Sequence, residues 1–108
     1  MLKTSSGYKA LMRSMSTSLI LHEKAQTTIQ KARLVRPFVE KIITCAKKKN
    51  LASIRKVAAD IHDKQALKKL HEVLVPRYEN RNGGYTRILK VGLRQGDAAS
   101  IVVIKLLQ

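Results

Sequence analysis

Along the first 22 positions the apolar residues Leu11, Met12, Met15 and Leu19 recur at three- and four-residue intervals, which predicts an amphipathic helix from about Ser6 to His22. Ser5 and Ser6 are suited to capping it. Lys9 and Arg13 are four apart and share a face outside the apolar stripe, together with Ser16 and Thr17, and that face suits phosphates. Gln26 to Ile29 is short, threonine-rich and β-branched, so it predicts a brief strand. The clearest period near 3.6 follows in Leu34, Val35, Phe38, Val39, Ile42, Ile43, Cys45 and Ala46. Pro37 lies inside this run and is expected either in the first helical turn or at a kink. Asn50 is expected to end that helix and cap the next, with Leu51, Ile54, Val57, Ala58 and Ile61 turned inward. Asp63 is expected to cap a further helix with Leu67, Leu70, Val73 and Leu74 inward, stopped by Pro76.

Beyond Pro76 the pattern changes. Asn82, Gly83 and Gly84 signal a turn ahead of Tyr85 to Val91, a stretch rich in β-formers, and Gly92 to Ala99 reads as a loop. Ser100 to Leu107 is apolar on both faces except at Lys105, which suits the central strand of a small sheet. The last two strands are expected to pair as a long-looped hairpin. The predicted order is one helix, one strand, three helices and two strands, in a single domain covering residues 1–108.

Charge turns this outline towards a class of partner. The chain carries 22 Lys plus Arg against 7 Asp plus Glu, a formal net charge of +15. The excess is spread along the chain, with 11 basic and 2 acidic residues in 1–49 and 11 basic and 5 acidic in 50–108. Positive groups at this density repel one another in the compact state, and a polyanion relieves the repulsion. Nucleic acid is the leading polyanion, because a membrane-surface helix needs bulky apolar anchors and the chain has no Trp and one Phe. No apolar run approaches the roughly 20 residues of a membrane span, and no signal-peptide core is seen, so a soluble, non-secreted protein is expected. The single cysteine, Cys45, excludes an internal disulfide and a multi-cysteine zinc module, and its apolar neighbours point to a small buried hydrophobe.

Catalytic chemistry finds little to converge on. Asp60 and Asp63 flank a helix boundary where capping accounts for at least one, and His22, His62 and His71 lack metal-ligand spacing. Gly83-Gly84 is not followed by the Lys and Ser or Thr of a phosphate-binding loop. No enzyme activity, cofactor or metal is expected. Lys47, Lys48 and Lys49 read equally as a solvated helix end or as an RNA contact. The informative stretch runs from Pro76 to Arg94, where Arg77, Tyr78, Arg81, Tyr85, Arg87, Lys90 and Arg94 interleave cations with aromatic faces. Arginine bridges phosphates and stacks on bases, and tyrosine adds a flat face and a hydroxyl, a mixture suited to irregular RNA.

Three blocks of sequence resemble a known family, the bacterial and organellar large-subunit ribosomal protein numbered seventeen. Thr4-Ser5-Ser6 with Ala10, Arg13, Met15, Ser18-Leu19 and His22-Glu23, running on to Thr27-Thr28, resembles its opening helix and strand. Pro76-Arg77-Tyr78 followed by Gly83 to Lys90 is similar to its most recognisable signature, and Gly96-Asp97-Ala98-Ala99 completes the series. The resemblance covers nearly the whole chain. It implies an α+β fold with a small three-stranded mixed sheet packed against helices. It further implies a structural constituent of the large ribosomal subunit, binding its large (23S-type) rRNA near the nascent-chain tunnel exit beside the ribosomal proteins numbered twenty-two and thirty-two. The expected setting is the ribosome of a bacterial cytoplasm or an organelle matrix or stroma, with the protein a monomer there. The RNA-binding candidates are Lys3, Ser5, Ser6, Lys9, Arg13, Arg77, Tyr78, Arg81, Tyr85, Arg87, Lys90 and Arg94.

Two departures qualify this likeness: only Met1, Leu2 and Lys3 stand where members usually carry a longer basic extension, and Gly7-Tyr8 replaces His-Arg. The rival reading is a winged-helix DNA-binding regulator, since two short helices precede a basic hairpin. Its reading helix would offer mainly Lys64, Lys68 and Lys69, which suit phosphates better than base edges.

Overall fold

The computed structural model describes residues 5–93, 96 and 100–108, and the side chains from residue 7 onward. It contains α1 (Ser5–His22), β1 (Lys24–Thr28), α2 (Ile29–Lys47), α3 (Leu51–Asp60) and α4 (Lys64–Lys69). A wide π turn (Leu70–Leu74) joins α4 to a last helical turn, α5 (Val75–Arg77), and the strands β2 (Thr86–Leu93) and β3 (Ser100–Leu106) follow. The α+β class and the order expected from the sequence hold. The sheet, however, is antiparallel throughout rather than mixed: its order is β1-β3-β2, and β3 runs antiparallel to both neighbours. The hairpin makes β3 antiparallel to β2, and its insertion between the two earlier strands keeps those two apart.

β3 is central, as its apolar character on both faces predicts. One sheet face, carrying Val102, Ile104 and Leu106, is buried. Ile104 and Leu106 join one core with Met12, Leu19 and Ile20 of α1, Val35, Val39 and Ile43 of α2, and Leu70 and Leu74.

The boundaries have local causes. β1 begins two residues earlier than expected and ends at Thr28, whose hydroxyl accepts from the Lys31 amide at 3.4 Å as the cap of α2. Pro37 lies well inside α2, which continues past it. The Arg33 carbonyl loses its usual donor there, and Arg33 and Pro37 both lie on the exposed side of the helix, where that loss costs least. Asn50 caps α3 through the Ser53 amide at 2.8 Å and Asp63 caps α4 through Ala66 at 3.0 Å. The left-handed residue that reverses the chain after α2 is Lys49 (φ 60°) rather than Asn50. A side chain in that region is strained, so Lys49→Gly should raise stability by about 0.5–1 kcal/mol, read as a higher urea midpoint with an unchanged slope.

Three expectations are corrected. Leu51, Ile54 and Ala58 of α3 face outward, and Ser53 and Val57 face in. The Cys45 thiol donating to the Ser53 carbonyl (3.7 Å) and Arg13 paired with Asp60 (3.5 Å) turn that side of α3 towards its neighbours. Cys45 itself is half-buried rather than fully buried. Pro76 does not stop its helix, which runs on to Arg77; the Val75 amide reaches back to the Leu70 carbonyl, and this wider turn makes room for the proline ring. The same turn rotates the helix so that Leu70, Leu74 and Val75 are buried while Val73 is exposed. Gly83 and Gly84 take positive φ (82° and 66°), as the turn reading requires.

Candidate nucleic-acid interface

The register of the sheet assembles a group of cations that no local stretch of sequence contains. Lys24 of β1 lies opposite Lys105 of β3, and Lys105 lies opposite Arg87 of β2. Residues directly opposite share a face, so the three form one row across the sheet, about 10 Å from first to last. All three are exposed, on the face opposite the core, while their neighbours Ala25, Ile104 and Ile88 pack inward. Among the described residues none of the three has an acidic partner. Like charges placed directly opposite repel, so this row is unfavourable in the free protein and favourable beneath an anion that spans it.

Lys24 and Lys105 are absent from the candidates drawn from the sequence. Lys105 left a signal, as the one charged residue in the β3 run. Lys24 left none, because the predicted strand began after it.

The other candidates divide by environment. Lys9 is exposed on α1, and Arg13 is half-buried beside Asp60. Arg81 is exposed near the glycine turn, donating to the Gly84 carbonyl at 3.4 Å. Lys90 is exposed but lies opposite Val102, so it does not share the face of Arg87. Lys3 and Arg94 lie outside the described residues, as do the side chains of Ser5 and Ser6.

Tyr78 and Tyr85 are corrected as base-stacking surfaces, because their rings are 1% and 0% exposed. They pack against each other with centroids 4.9 Å apart. The Tyr78 hydroxyl donates to the Leu107 carbonyl. Lys47 donates to the Tyr85 hydroxyl at 3.0 Å and lies over its ring, and it also donates to the Arg81 carbonyl. Burial pushes the Tyr85 phenol up, but the hydrogen bonds from Thr44 and Lys47 outweigh it and leave the group below its ordinary value.

Arg77 is likewise engaged inside the protein. Its guanidinium donates to both Glu23 carboxylate oxygens, at 2.5 and 3.4 Å, and Lys69 donates to the same carboxylate at 3.0 Å. Lys69 also holds the Leu21 carbonyl at 2.9 Å. Glu23 occupies a left-handed position (φ 62°) at the end of α1, where glycine is the usual choice; its carboxylate, tying α1 to the segment ending at Arg77, explains why glutamate stands there. The Arg77 hydrogen bond, opposed by partial burial and aided by Lys69, lowers the Glu23 pKa to about 2 from 4.5. The lowered folded value means that this stabilisation is complete above pH 4.5 and is lost as the pH falls towards 2. Glu23→Gln should therefore cost about 1–3 kcal/mol at neutral pH and flatten the acid side of the stability profile. Urea titrations at pH 6 and pH 2.5 check this, with the gap between variant and parent closing at the lower pH.

The profile of the family described as Ribosomal protein L17 matches residues 11–107. Among similar curated proteins, the "Large ribosomal subunit protein bL17" of Exiguobacterium sp. is 50% identical over 109 residues, covering 96% of this chain and 93% of the relative. That of Endomicrobium trichonymphae is 47% identical over 102 residues, covering 94% and 87%. That of Zymomonas mobilis subsp. mobilis is 52% identical over 104 residues, covering 96% and 74%. Matches of this extent set the winged-helix regulator aside: the chain belongs to the ribosomal protein L17 family, a family of large-subunit ribosomal proteins.

Proposed function

We propose that this protein is a structural, non-catalytic constituent of the large ribosomal subunit that binds its rRNA through the outer face of the sheet. The observation that carries this reading is the unpaired row Lys24–Lys105–Arg87. Three cations on flexible stems, fixed to three strands of one rigid sheet, bridge backbone phosphates that would otherwise repel and hold their relative positions. Lys9 and Arg81 are exposed and available to add phosphate contacts from α1 and the glycine turn.

Family membership supports the finer placement, near the nascent-chain tunnel exit beside the ribosomal proteins numbered twenty-two and thirty-two, as a single copy in the ribosome of a bacterial cytoplasm or an organelle. The test is sedimentation of a tagged copy from its native source, with large-subunit rRNA probed across the gradient and lysine-reactive crosslinking of the peak fraction. Co-migration that survives a moderate salt wash, with crosslinks to those two neighbours, is expected. Free protein at the top of the gradient would overturn the reading.

A further inference from the structure

A second feature lies on the helices. Between α2 and α3 there is an open groove of about 580 Å³. Ile42 and Val57, both buried, and the half-buried Phe38 form its floor, and the exposed Lys41, Lys48 and Lys56 form its rim. Phe38 and Lys41 of α2 and its C-cap Lys48 lie along one side of the helix, about 15 Å from first to last, because spacings of three and seven residues bring side chains back to nearly the same face. Two carboxylates also line the groove, but both are committed elsewhere. Glu40 pairs with Arg36 at 3.7 Å and accepts from Thr86 at 2.8 Å, and Asp60 pairs with Arg13. Among the described residues the three rim lysines have no acidic partner.

An apolar slot edged by unpaired cations fits a flat body with apolar faces and a negative charge at its margin. A nucleotide has that form: the base needs only stacking, and its phosphates lie at the edge. An acidic peptide shares the charge but fits less well. Its backbone needs hydrogen-bonding partners that this floor barely offers, and a protein partner of ordinary affinity buries far more surface, about 800 Å² per side.

We infer that this groove receives an unpaired nucleotide of the rRNA, its base against Phe38 and its flanking phosphates on Lys41, Lys48 and Lys56. The inference rests on the RNA-binding reading above but concerns a different face of the protein.

The experiment is short-wavelength irradiation of intact large subunits, with nucleotide adducts on this protein located by mass spectrometry. An adduct on Phe38 or Cys45 is expected. It should fall at least about fivefold in subunits carrying the K41Q/K48Q/K56Q variant, whose removal of three phosphate contacts leaves adducts on the strands unchanged. Adducts on the sheet strands alone would overturn the inference and leave the RNA-binding reading standing. Absence of RNA adducts from the whole chain would overturn both. Lysine-reactive crosslinks from the groove rim to another protein, with no nucleotide adduct there, would assign the groove to a peptide and overturn the inference.

Discussion

Replacing Lys24, Arg87 and Lys105 together with glutamine should weaken binding to large-subunit rRNA about a hundredfold near physiological salt, because each lost phosphate contact removes about 0.9 of a counterion. The slope of log K against log salt should become shallower by nearly three. The free protein should respond in the opposite direction. Each directly opposed like-charge pair destabilises by about 0.2–1 kcal/mol, so relieving both pairs should raise the melting temperature by a few degrees. A merely structural row would lower both quantities when mutated. Filter binding over a range of salt, beside thermal melts of the same samples, separates the two cases, and an unchanged salt slope would remove the sheet face from the interface.

Tyr78→Ala should cost about 3–5 kcal/mol, the range for truncating a large buried aromatic side chain, and in a domain of 108 residues this takes much of the total stability. Tyr78→Phe should cost only about 1–2 kcal/mol, since it keeps the ring against Tyr85 and loses the hydroxyl that satisfies the Leu107 carbonyl. At a temperature where Tyr78→Phe is folded, its affinity for rRNA should equal that of the parent. Melting curves and binding on the same variant distinguish a core tyrosine from one that touches RNA, and a Tyr78→Phe protein of parental stability but weakened binding would restore the direct contact.

What the sequence made legible was local. Asn50 and Asp63 announced two helix starts because a capping side chain and its amide lie three residues apart. The Gly83-Gly84 turn and the two-faced apolar run of β3 likewise carried their meaning within a few residues. The features that failed were set at long range. Arg77 read as a free cation because its carboxylate, Glu23, is 54 positions away. Tyr78 and Tyr85 read as exposed because tyrosine suits both a core and a wet surface, and only their contacts with Leu107 and Lys47, each far off in sequence, decide which. The face of α3 was misread because its apolar residues allow two orientations, and contacts with Cys45 and Arg13 select one. The cation row required the register of two strand pairs, and register between β1 and β3 is a property of the folded sheet.

The position of β3 also has a consequence in time. β1 is made early, yet its pairing partner is residues 100–106, so through most of synthesis the first strand has nothing to pair with and the row has two of its three cations at most. A chain broken off before Ser100 retains every helix described above and most of the positive charge, but it lacks the strand that joins the outer two. Such a fragment keeps a large positive charge while lacking the register that fixes Lys24 and Arg87 relative to each other. The three-cation row is therefore complete only in a chain whose translation has passed Lys105.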